Sequence, residues 1–193
     1  MLQKLTLGGR HSLREFLGQH VWRHFFRDVH VEDPQVASYV ADVLVDFAWI
    51  DNLYRIRNAL GKRLEDVGEM LLESNPLLAA GSFDRERAVR KHVGDYTLFM
   101  TGLFPETVAR IRKASPPRLE SFVDFVKAGK ESYAIVSSFD QFEYRHEAPL
   151  FRKLSENFEL CVYALNLVKQ DLERYQAQYY NGLKEVVGES GLT

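Results

Sequence analysis

Between residues 151 and 179 the apolar side chains fall in an unbroken three–four alternation: Phe151, Leu154, Phe158, Cys161, Leu165, Val168, Leu172, Tyr175 and Tyr179. A helix turns once in about 3.6 residues, so this spacing lays them all on one stripe; a strand would divide them between two faces. The pattern predicts a helix over 148–180. Its middle, LCVYALNLV, is apolar nearly all round, whereas KQDLERYQAQYYNG keeps only a narrow stripe. The middle is therefore expected in a core and residues 170–193 as a projecting helix end or tail. Leu172, Tyr175 and Tyr179 would then stay exposed in a monomer, and they are expected to form a dimer seam.

The rest of the chain carries the same period. Asp33-Pro34 is a helix start, with Asp as N-cap and Pro in the first turn. From there Val36, Val40, Val43, Phe47, Ile50 and Tyr54 predict a helix over 34–56. A second is expected over 62–73, stopping before Asn75-Pro76, and a third from the Ser82 cap over 83–103. Phe104-Pro105-Glu106 opens a short helix or turn, and another helix is expected over 117–137. No repeat or strand alternation interrupts this. The expected fold is all-α: one domain over 1–193, a bundle of six or seven helices with a long C-terminal member.

Composition narrows the functional classes. A chain of 193 residues with 46% hydrophobic and 27% charged residues suits a water-soluble globular fold. Its net charge of −2 gives no general reason to seek nucleic acid or anionic lipid. The single cysteine, Cys161, allows no internal disulfide. No apolar leader or run of about 18 apolar residues is present, so a cytoplasmic protein without a membrane partner is expected.

Candidate chemistry concentrates in two places. The stretch HVGDYTLFMTGLFPE (92–106) sets His92 and Asp95 on one stripe beside the apolar face, where they could act as an acid–base pair or tie helices together. A buried Asp95 needs an arginine, a histidine or a helix N-terminus opposite it. The two glycines, 94 and 102, suit close approach by neighbouring elements. In the N-terminal segment His20, His24 and Asp28 follow at successive turns, the spacing at which two imidazoles and a carboxylate could share a divalent metal. The H-E-x-x-H glutamate is absent. Glu143 and His146 have the spacing of a di-iron ligand pair, but no second such pair accompanies them. Asp51 is expected to be buried and paired with Arg55 or with an arginine or histidine of another helix. Basic residues at 85–91 and 109–118 are expected on a solvated face.

The spacing H-V-G-D-x-x-L-F-x-x-G-L-F-P-E, with FVKAGKESYAIV and FRKLSENFELCVYALNLV after it, resembles blocks of a family of uncharacterised bacterial all-helical proteins. The resemblance covers roughly residues 85–170 and implies a helical fold with no assigned activity. With P-loop, dinucleotide, serine-elbow and cysteine–zinc motifs all absent, the function expected is that of a non-enzymatic interaction or regulatory protein. It is expected to self-associate as a homodimer, to bind another protein if it has a second partner, and to need no cofactor. The alternatives are a bundle binding a metal or small cofactor, and an enzyme using His92 and Asp95.

Overall fold

The computed structural model describes residues 9–78, 81–114, 116–175 and 177–188. Among them are ten α-helices and no strand: α1 Gly9–Arg27, α2 Pro34–Asp46, α3 Ile50–Leu53, α4 Val67–Glu73, α5 Phe83–Leu103, α6 Pro105–Arg112, α7 Phe125–Ser138, α8 Ala148–Glu156, α9 Phe158–Tyr175 and α10 Ala177–Gly188. Two 3-10 turns, Leu119–Phe122 and Phe142–His146, precede α7 and α8. The all-α class expected from the periodicity is the class observed.

The helices gather into two compact units, one made of the residues up to Leu53 and from Leu160 onward, the other of Tyr54–Glu159. In the first unit α1 packs on α2. In the second, α5 packs against α7, α7 against α8, and α4 against α5. The second half of α5 is buried on every side, from His92 through Leu103.

Helices number more than six or seven because local capping cuts long apolar stripes that periodicity reads as continuous. The stripe at 34–56 breaks after Asp46. Ala48 N–H donates to Val45 O and Trp49 N–H to Asp46 O, tightening the last turn, and the Asn52 side chain donates to the same Asp46 carbonyl at 3.0 Å. The stripe at 148–180 breaks at Asn157, whose side chain donates back to Lys153 O. The 62–73 helix begins only at Val67, because Asp66 caps it. Ahead of it Asn58 Oδ1 accepts from Leu60 and Lys62 N–H around Gly61, which has φ +79°. The 117–137 helix likewise waits for its cap, Asp124.

The C-terminal expectation changes most. Leu172 is fully buried within the chain, so it is not an exposed seam residue. In α10, Tyr180, Leu183, Val186 and Val187 are buried too, so this end covers apolar surface rather than projecting. The tail keeps an apolar stripe, and burying that stripe on the chain itself is the shortest way to remove it from water. The Tyr175 and Tyr179 side chains, and residues 189–193, lie outside the described set.

Candidate functional site

The buried polar residues His92, Asp95, Thr97 and Thr101 of α5 each make a specific contact. At Gly94 a Cβ would stand 2.5 Å from Cε1 of Tyr133, so only glycine lets the α7 tyrosine lie flat across α5. That position brings the Tyr133 hydroxyl to Asp95, where it donates to Oδ1 at 2.8 Å. On the other oxygen, Lys91 Nζ lies 3.1 Å away and Arg55 Nη2 3.7 Å. Arg55 also donates through Nε to His92 Nδ1 at 3.1 Å, which leaves the ring proton of a neutral His92 on Nε2. Asp95 is 2% exposed and His92 fully buried. Thr97 and Thr101 donate to the carbonyls of Val93 and Thr97, inside their own helix.

Arg55 therefore serves Asp95 and His92, while Asp51 is exposed. A general base needs a free acceptor facing its substrate, yet both Asp95 oxygens already take donors, one from Tyr133 and the other from Lys91, with the Arg55 charge at 3.7 Å. The arrangement is a joint linking α5, α7 and the segment after α3. Removing the hydroxyl alone, in Tyr133→Phe, is expected to cost about 1–3 kcal/mol by leaving a buried carboxylate oxygen short of a donor. Urea unfolding measures this; a loss below about 0.3 kcal/mol would mean that Lys91 and Arg55 suffice.

In the first unit His20 and His24 do face one point. His24 Nε2 lies 2.9 Å and His20 Nδ1 3.3 Å from Oδ2 of Asp171, with Arg23 Nη1 at 3.4 Å from the same oxygen. Asp28 is elsewhere: it meets the opposite ring nitrogen of His24, Nδ1, at 2.6 Å. One helical turn carries Asp28 past the point where the two imidazoles converge, so Asp171 from α9 takes the place expected for it. Both nitrogens of His24 face carboxylates, and only the doubly protonated ring donates to both. Burial pushes the Asp171 carboxyl up, but the donors from His24 and His20 and the charge of Arg23 outweigh it and hold it below its ordinary value. Among the described residues no group of three or more His, Cys, Asp or Glu is arranged to hold a metal ion.

The other sequence candidates are readily placed. Glu143 and His146 sit exposed on a 3-10 turn, and Cys161 is fully buried. The basic run at 85–91 enters ion pairs: Arg85 with Glu73, Arg87 with Glu147, Lys91 with Asp95.

Two features escape sequence reasoning altogether. Glu120, in the turn before α7, is 3% exposed and its Oε2 has no hydrogen-bond partner. Burial and the neighbouring Asp66 push it up to about 7. A folded-state value raised above the ordinary 4.5 means that the folded protein holds this proton more tightly than the unfolded chain does. Its contribution to stability is complete below about pH 4.5 and declines as pH rises through about 7. Glu120→Gln is expected to remove that decline, leaving the variant more stable than the parent at pH 8 and near parity at pH 5; denaturant titrations at both pH values test it. Asp171 acts in the opposite sense: its depressed value means stability lost as pH falls through it.

The second feature is apolar. A groove of about 350 Å³ is lined by Asn58, Lys62, Leu64, Glu69, Leu72, Glu73 and Leu78. In the same stretch of chain Leu60 and Leu77 are 93% exposed, Phe83 74%, Leu78 67% and Leu72 52%.

The chain matches no protein-family model, no curated protein and no solved structure. No helix among the described residues is long and apolar enough to cross a membrane.

Proposed function

We propose that this protein works by binding another protein chain rather than by catalysis, and that it self-associates as a homodimer through the groove of the second unit. The observation that carries this reading is the run of large apolar side chains left in water at Leu60, Leu72, Leu77, Leu78 and Phe83. Single exposed leucines are ordinary, but Leu72 and Leu78 line one groove and Leu60, Leu77 and Phe83 are exposed in the same stretch of chain, a concentration that suits an interface core. Fully burying a leucine or phenylalanine gains about 1.5–3 kcal/mol, so a few of them can offset the several kcal/mol of lost motional freedom that association costs. Charges at the groove support a two-fold contact. Lys62 is 3.7 Å from Glu69 within the chain, and Glu73 lies close by, so each copy offers both signs to the other.

The test is native mass spectrometry with sedimentation velocity, on untagged protein and on Leu77→Glu/Leu78→Glu. A parent dimer with a monomeric, still helical variant is expected. A parent that stays monomeric at tens of micromolar removes self-association. The same spectrum reads any retained ion, and an added mass lost in His20→Ala/His24→Ala would move the functional assignment to the Asp171 cluster.

A further inference from the structure

We propose that residues 116–124 form a strap clipped to the start of α4 by Glu120, and that loss of the Glu120 proton releases it. The strap lies directly on the helix. A Cβ on Gly68 would stand 2.6 Å from Leu119 Cγ and 3.1 Å from the Leu119 carbonyl carbon, so glycine at 68 is what admits the strap backbone. Asp66 joins the two elements. Its Oδ1 accepts from Gly68 N–H at 2.7 Å and Glu69 N–H at 3.1 Å, capping α4, and its Oδ2 accepts from Glu120 N–H at 3.2 Å.

This puts a second carboxyl beside the cap. Asp66 serves as an acceptor on both oxygens, the role of an ionised carboxylate. Glu120 next to it is buried with one oxygen unpartnered, a position that tolerates a neutral acid far better than an anion. The charges around it do not reverse that preference. From α4 and its cap, Asp66 and Glu69 both disfavour the anion, against a backbone hydrogen bond from Val67. On the strap, Arg118 Nη1 is 3.9 Å from Glu120 Oε1, but its side chain is about half exposed and its help is screened. From α5, Tyr96 faces Glu120 and is itself pushed up, first by burial, then by Tyr54 and Glu120. The third element against the strap, α6, carries Glu106, Arg110 and Arg112.

Ionising Glu120 sets a buried carboxylate beside the partly buried one of Asp66. The cheapest relief is to move the strap, held to α4 by the Glu120 N–H bond to Asp66, the Val67 bond to the Glu120 side chain and the Leu119 contact, rather than α5 or α7. Because Glu69, Leu72 and Glu73 of α4 also line the apolar groove, release bears on that surface, yet the device stands whether or not the groove binds a partner.

Hydrogen exchange on the full chain at pH 6 and pH 8, corrected for intrinsic exchange, tests it. Protection of the 119–123 amides relative to those of α7 is expected to fall about tenfold or more between the two pH values, while Glu120→Gln keeps it within about twofold. Equal protection of the parent at both pH values overturns the proposal, as does the same loss in Glu120→Gln. Should that variant not fold, carboxyl-carbon NMR of the parent decides: a Glu120 midpoint above about 6 upholds the strap, and an ordinary glutamate midpoint overturns it.

Discussion

Asp95→Ala is expected to destabilise the 54–159 unit by about 3–5 kcal/mol, the range for breaking one side of a buried ionic cluster. The magnitude follows from what is left behind. Tyr133 would keep a buried hydroxyl without its acceptor, and Lys91 and Arg55 would face each other with no carboxylate between them. The cost should exceed that of Tyr133→Phe, which removes one neutral donor. The double variant Asp95→Ala/Tyr133→Phe should cost less than the sum, because the orphaned hydroxyl has gone as well. Urea unfolding of the four proteins reads this directly. A loss for Asp95→Ala below about 1 kcal/mol would mean that the carboxylate is not a structural joint, and would reopen His92 and Asp95 as groups held for chemistry.

Gly129 is the second sensitive position. A Cβ there would meet Phe158 Cζ and Thr97 Oγ1, each at 2.3 Å, closer than real Cβ contacts come. Neither neighbour gives way easily. The Phe158 ring packs at 5.9 Å from that of Tyr133, and Thr97 Oγ1 donates to Val93 O at 2.7 Å. Alanine gains up to about 1 kcal/mol of helix preference over glycine. Overpacking costs about 1–3 kcal/mol and prevails, so Gly129→Ala should be net destabilising and Gly129→Val more so. Gly18, within α1, has nothing within 4 Å of its missing Cβ, so Gly18→Ala should stabilise by about 0.5–1 kcal/mol. The opposite signs of one chemical change make the test sharp: Gly129→Ala as stable as the parent would deny that α5 and α7 approach closely there.

These two positions also show what kind of information each level holds. The helix at 83–103 was legible from end to end, because Ser82 caps it, its apolar period runs through it, and Pro105 starts the next element. All three signals lie within the segment. The need of a buried Asp95 for a cationic partner was legible too, from the cost of burying a lone carboxylate. Which groups meet that need was not. Tyr133 lies 38 residues away, and Asp171, where His20 and His24 converge, 151 and 147 residues away.

The amino-acid order by itself determined the helical class and the starts of α2, α5, α6 and α8, because caps and periodicity act over one or two turns. Tertiary structure alone decided where the long stripes break, that Leu172 lies within the chain's own core, that Asp28 yields its place to Asp171, and that Glu120 sits in the dark beside Asp66. Burial and pairing depend on which distant segment arrives, and neither the spacing of apolar residues nor the charge of a single side chain records that.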